Sequence, residues 1–171
     1  SPEVLSQEHG IKVLQGEAHF KDRDTIIIKQ LEGDSTYTAK TIVIATGSSA
    51  RKVSIPGLDD DKLLTNENLF AISDIPKRLL VIGGGPIGCE MAQAFHHLGS
   101  KITIVTNTDT IVPREEKIVA ALAQEQFLHQ GITIIPNAHV KSCEGGYAMV
   151  EQTKGKEVTL HKVAYDQVLM G

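Results

Sequence analysis

The stretch Leu79–Glu90, reading LLVIGGGPIGCE, constrains this chain more than any other. Leu79, Leu80, Val81 and Ile82 are four apolar residues in a row with β-branched residues at the end, the pattern of a strand buried on both faces. The strand runs into Gly83-Gly84-Gly85, after which Ile87, Met91, Ala94, Phe95 and Leu98 recur at spacings of three and four. That spacing predicts an amphipathic helix with those five residues on its buried face. Gly99 suits the end of the helix, and Lys101–Val105 follows as a second strand. Strand, glycine turn, helix and strand in this order predict a parallel sheet covered by helices.

Gly83, Gly85 and Gly88 stand at G-x-G-x-x-G spacing, and each has a mechanical reason. The first permits a tight turn, the second lets a pyrophosphate approach the backbone, and the third lets helix and sheet pack closely. The helix start then offers free N–H groups and a positive dipole end to phosphate. A βα turn that needs glycines only for its geometry is the plainer alternative. Placed between a buried strand and an amphipathic helix, the pattern favours a dinucleotide loop built from Gly83, Gly84, Gly85, Pro86, Ile87 and Gly88. A carboxylate about 20 residues on would bind the ribose of NAD. That place holds Thr106-Asn107-Thr108, with Asp109 just beyond and no arginine beside it, so NAD and NADP both stay open. Thr106 and Asn107 can each donate a neutral hydrogen bond there, and Arg114 is the nearest cation downstream.

The flanking chain reads as two antiparallel meanders around this unit. Val13–Phe20, Thr25–Leu31 and Ser35–Ala39 form the first, and Thr41–Gly47 then reads as an apolar parallel strand buried on both faces. Residues 48–62 are a connector, and capping residues at 65–68 suggest a short helix at Leu69-Phe70. A second helix follows Pro113, with Val119, Leu122, Ala123 and Phe127 on one face, and Ile132–Ile135 is the third parallel strand. Residues 138–144, 147–153 and 157–160 make the second meander, and Val168–Met170 ends the chain as a strand before Gly171. Aligning Val168–Met170 with Ile42–Ile44 gives a weak internal repeat, and with it the expectation of a fragment that stops in mid-motif.

Aromatic residues make up 4% of the chain and Trp is absent, so the core must come from Ile, Val, Leu and Ala. A net charge of −4 without a basic run argues against nucleic acid and anionic membranes as partners. No apolar run approaches a membrane span. Cys89 and Cys143 form no C-x-x-C pair, which suits a reducing, cytoplasmic setting. His96-His97 are helix neighbours pointing different ways, and no metal site is expected.

Gly16–Phe20, Ile42–Ser48, Ile55-Pro56-Gly57 and Gly83–Glu90 occur in an order that resembles the middle of the class I flavoprotein disulfide reductases. Dihydrolipoamide dehydrogenase and mercuric reductase are the branches most like the run Glu90–Phe95. The resemblance implies an α/β fold: a Rossmann-like parallel sheet with helices and an antiparallel meander, preceded by a β-rich remnant of an FAD domain. It divides the chain into a partial FAD-domain segment, 1–50, and an NAD(P)-binding domain, 51–171. It implies that Ala18, Thr46, Gly47 and Ser48 lie against FAD in an intact, homodimeric enzyme. It also places Glu90 near the nicotinamide carboxamide, Val140 beside the adenine and Gly171 at the nucleotide site.

The resemblance further implies that NAD(P)H reduces FAD, which reduces a disulfide. The FAD fingerprint, the redox C-x-x-x-x-C and the C-terminal His-Glu pair are not found here, so the piece by itself is expected to be inactive and to hold no catalytic residue. Two rivals stand beside this reading. One is a same-fold flavoprotein without a redox disulfide, of the NADH oxidase or ferredoxin reductase type. The other is a nucleotide-binding module that does no chemistry.

Overall fold

A computed structural model describes residues 9–47 and 54–171. The chain divides into two compact units, Ser1–Ser48 and Ser49–Gly171. In the first, β1 (Glu17–Phe20), β2 (Thr25–Lys29) and β3 (Ser35–Thr38) form an antiparallel meander in chain order. Ala18 pairs with Ile28, and Ile26 with Tyr37. Thr25 is the one buried residue described in this unit, because four- and five-residue strands enclose little volume.

Thr41–Gly47 is not the buried parallel strand the sequence suggests. Residues 42–47 take no regular structure, and Val43 and Ile44 are 81% and 70% exposed. A strand buried on both faces needs hydrogen-bonding neighbours, and residues 42–47 pair with none of β1, β2 and β3, the strands described in this unit.

The second unit contains β4 (Leu63–Leu64), β5 (Arg78–Ile82), α1 (Pro86–His97), β6 (Lys101–Val105), α2 (Lys117–His129) and β7 (Thr133–Ile135). The second meander follows as β8 (Ala138–Glu144), β9 (Tyr147–Lys154) and β10 (Glu157–Ala164), and β11 (Gln167–Met170) returns to the sheet. The sheet is parallel with order β4-β11-β5-β6-β7. Order reverses at β5, whose chain leaves toward β6 while β11 lies on its other side.

Both faces of that sheet are covered, which explains its unbroken apolar runs. Leu79, Val81, Ile102, Ile104 and Leu169 face the helices with Cys89, Ala92, Phe95 and Phe127. Leu80, Val105 and Val168 face the meander with Cys143, Ala148, Val150 and Tyr165. The unit is therefore three layers: helices, parallel sheet, antiparallel sheet.

Three local expectations change. On α1 the buried residues are Gly88, Cys89, Ala92 and Phe95, while Ile87 and Leu98 are exposed. Gly88 must face inward, because its α-carbon lies against Gly83 and Gly171, and that contact sets the rotation of the helix. On α2, Ala120 and Phe127 are buried while Val119 and Leu122 are exposed. Gln124 turns inward there, and its Oε1 accepts the N–H of Ile111 at 3.3 Å. The expected helix near Leu69 is a single 3-10 turn, Leu69–Ala71.

Candidate functional site: a glycine loop at the reversal of the sheet

The carboxyl ends of β5 and β11 meet at glycines. The N–H of Gly171 donates to the Ile82 carbonyl at 2.9 Å, and that of Gly83 to Val105 at 2.9 Å. Gly83 has φ +113, and a Cβ on it would run into the carbonyl of Gly171. A Cβ on Gly88 would strike the carbonyl of Gly83, and one on Gly171 would strike the α-carbon of Gly88. Gly83, Gly88 and Gly171 therefore pack backbone on backbone, bringing α1 down onto the ends of two strands.

Gly85 differs from these three. It is the N-cap of α1, with φ −74 and ψ 176, and nothing lies within 4 Å of where its Cβ would project. Any residue could adopt that backbone without a clash inside the chain, so its glycine is explained by neither geometry nor packing. Gly85 provides no side-chain cap, and Pro86 at the first helical turn has no N–H to offer. The N–H groups of Ile87 and Gly88 are the first donors of the helix, and the space beside Gly85 is open. This is the arrangement that receives an anion at a helix start.

Gly84 is the support beneath the loop. Its carbonyl accepts the N–H of Val112 at 2.6 Å and lies 3.5 Å from the Cys89 thiol. A Cβ there would come to 3.0 Å from Thr106 and 3.3 Å from Ile111. Val112 has φ +43, a left-handed conformation that a β-branched residue adopts at a cost. The Thr108–Val112 loop is a support for the glycine turn that sequence reasoning missed, and its one signal was Pro113 marking a turn.

Thr106 follows β6 and is 2% exposed. Its hydroxyl is 2.7 Å from that of Thr108, and Thr108 donates onward to the Thr110 carbonyl at 2.7 Å. With that donor spent, the Thr108 hydroxyl accepts, and Thr106 is the donor of the pair. Asn107 beside it is exposed. Glu90 is exposed on the outer side of α1, and Val140 is half-buried on β8. Ala18, Thr46 and Gly47 are exposed in the first unit, and Ser48 lies outside the described residues.

The cysteines sit in different layers: Cys89 on the helix side of the sheet, Cys143 on the meander side. Both are free and buried, and burial pushes both thiols up from their ordinary pKa. Neither is a redox partner of the other. His96 and His97 have ring centroids 5.9 Å apart, and no cluster of three metal-ligating side chains occurs among the described residues.

Comparison with known proteins decides the family. The family model described as pyridine nucleotide-disulphide oxidoreductase matches residues 1–171. The chain belongs to the pyridine nucleotide-disulphide oxidoreductase family. Among relatives, it is 32% identical to a mercuric reductase of Bacillus cereus over 140 residues, 82% of this chain and 22% of that protein. It is 30% identical to a dihydrolipoyl dehydrogenase of Geobacillus stearothermophilus over 162 residues, 92% of this chain and 34% of that protein. A solved structure of the HOCl-induced flavoprotein disulfide reductase RclA of Escherichia coli superposes with a TM-score of 0.73 at 28% identity. It covers 98% of this chain and 37% of that one. LpdA of Mycobacterium tuberculosis superposes with a TM-score of 0.72 at 27% identity, covering 94% of this chain and 36% of that one.

The chain thus spans about a third or less of the length of these family members. Its mixed α/β architecture, with one parallel and two antiparallel sheets, is that of the flavoprotein disulfide reductases it resembles. No helix among the described residues is long and apolar enough to cross a membrane.

Proposed function

We propose that residues 51–171 are the NAD(P)H-binding domain of an FAD-dependent disulfide oxidoreductase, delivering nicotinamide hydride to FAD in the intact protein. The observation that carries this reading is Gly85, a glycine required by nothing inside the chain and standing at an open, uncapped helix start. Ligands of open α/β sheets bind outside the carboxyl ends of the strands where strand order reverses, and Gly83 and Gly171 mark that place.

On this reading Gly83–Gly88 hold the pyrophosphate, Asn107 and the Thr106–Thr108 pair lie toward the ribose, and Glu90 lies near the nicotinamide. The bound nucleotide supplies a hydride; the residues described here bind and orient it and carry no bond-breaking group. The first unit, residues 1–50 in this division, contributes Ala18 and Thr46–Ser48 to an FAD domain of a cytoplasmic, homodimeric enzyme. Its exposed Phe20, Val43 and Ile44 are apolar surface suited to covering by such a domain. The described residues of that unit enclose no cradle for a flavin, so no step through FAD is assigned to them.

Calorimetric titration of NADH and NADPH into the chain and its Gly85→Val variant tests the reading. Nucleotide binding by the unmutated chain, weakened at least about tenfold in a variant that keeps its circular dichroism, is the expected result. Equal affinity in both proteins would put the nucleotide elsewhere.

A further inference from the structure

We infer that Gln124 of α2 is a positioning residue for the glycine loop: acting through the Thr108–Val112 loop, it sets the direction of the Gly85 N–H, a donor to the pyrophosphate of a bound dinucleotide. The inference rests on the nucleotide-binding reading above and deepens it, by giving a role to a side chain outside the glycine motif.

The peptide between Gly84 and Gly85 is held at one end only. Its carbonyl accepts the Val112 N–H at 2.6 Å, while its N–H donates to nothing among the described residues. Carbonyl and N–H of a trans peptide point in opposite directions. Fixing the carbonyl toward Val112 therefore turns the Gly85 N–H away from that loop, unpaired at the uncapped start of α1. A glycine on each side leaves this peptide little intrinsic resistance to rotation. Its direction must come from the partner of its carbonyl.

That partner is itself held against its preference. Val112 has φ +43, which persists in a β-branched residue only where surrounding contacts over-determine it. The Val112 carbonyl accepts the Glu115 N–H at 3.0 Å, closing the turn at Pro113. At the other end of the loop, the Thr108 carbonyl accepts the Asn137 N–H at 2.9 Å. Directly before Val112, the Ile111 N–H donates to Gln124 Oε1 at 3.3 Å, and Ile111 is 0% exposed. Removing the amide of Gln124 leaves that buried N–H without its acceptor. The loop then relaxes, the Val112 N–H leaves the Gly84 carbonyl, and the Gly84–Gly85 peptide is free to turn. This role also accounts for the inward rotation of a glutamine on α2 while Val119 and Leu122 stay exposed.

Amide NMR and calorimetry with NADH and NADPH test the inference on the chain and two variants. Gln124→Met keeps the length and loses the amide, and Gln124→Glu keeps an acceptor at the same place. Circular dichroism checks the fold, and Gln124→Leu replaces the methionine variant if that one does not fold. In the nucleotide-free Gln124→Met protein the Gly85 amide resonance should move, and nucleotide affinity should fall at least about threefold. In Gln124→Glu the resonance should return toward its original position. A merely structural glutamine would lower the melting temperature and leave both the Gly85 resonance and the affinity where they were. An unmoved Gly85 resonance in Gln124→Met, or a moved one with unchanged affinity, overturns the inference and leaves the nucleotide reading intact. Failure of the unmutated chain to bind either nucleotide overturns that reading, and this inference with it.

Discussion

Asp166 grips Arg78 from two sides: its Oδ2 accepts the Arg78 backbone N–H at 2.8 Å, and its Oδ1 accepts Nε at 3.1 Å and Nη2 at 2.5 Å. The pair ties the turn between β10 and β11 to the first residue of β5, although 88 positions separate them in the chain. The hydrogen bond from Arg78 holds the Asp166 carboxyl below its ordinary range. A carboxylate with a depressed folded pKa contributes stability that is full above its unfolded value, about 3.9, and lost as pH falls through the folded value. Thermal melts of Asp166→Asn should therefore lie below those of the unmutated chain at neutral pH, with the gap closing in acid. Both side chains are more than a third exposed, so water screens the pair and the gap should be modest. A gap that stays constant from neutral pH to pH ~3 would show that the carboxylate charge is not its source.

The glycines of the loop should separate by what they do. Gly83→Ala places a methyl against the Gly171 carbonyl in a backbone conformation alanine rarely adopts, and should cost about 2–4 kcal/mol in urea unfolding. Gly85→Ala meets nothing and should change stability by less than ~1 kcal/mol. Should the two variants lose stability equally, the open space above Gly85 is not there.

Tyr165 is 3% exposed, and burial together with the neighbouring Cys143 thiol pushes its phenol up to about 12. A raised folded pKa contributes stability below the unfolded value of about 10, lost as pH rises toward the folded one. Ultraviolet titration should show a phenol component with its midpoint near 12, absent in Tyr165→Phe. In the same protein neither cysteine should react with a bulky disulfide reagent before unfolding, since both are buried and their thiols are raised. Reaction of a thiol in the native state would contradict the burial of that layer.

How far the sequence could be read depended on where pairing partners come from. Leu79–Ile82 and Val168–Met170 read as buried strands and are, because each finds parallel neighbours in its own unit. Ile42-Val43-Ile44 carries the same apolar signal and forms no strand, since composition records hydrophobicity and not whether a neighbouring strand pairs with it. Periodicity located both helices and set Phe95, Met91, Phe127 and Ala123 against the core, but it also placed the exposed Ile87, Leu98, Val119 and Leu122 there. The rotation of α1 is set by Gly88, a residue that no hydrophobic scale ranks inward, and that of α2 admits Gln124. The glycine loop itself was legible, because spacing and strand–helix context coincide there. Its underside, where Val112 and Thr108 support the turn, has no pattern of its own to read.

On the proposed nucleotide-binding reading, cofactor choice turns on the end of β6. Thr106 is buried, and its hydroxyl donates to Thr108, so it has no free donor for a ribose or a 2′-phosphate. The exposed side chain at this place is Asn107, whose amide carries no charge to attract or repel a phosphate. A neutral hydrogen bond contributes about 1 kcal/mol net. Discrimination between NADH and NADPH should therefore stay within about tenfold, or ~1.4 kcal/mol. Asn107→Asp adds a carboxylate of nearly the same shape at an exposed position, where it can accept from ribose hydroxyls and repel a 2′-phosphate. That variant should move the ratio toward NADH by several-fold, with the shift shrinking at higher ionic strength as screening grows. Paired titrations of both nucleotides into both proteins measure it. If the ratio does not move, Asn107 faces away from the ribose, and the discriminating contact belongs to the Thr108–Val112 loop instead.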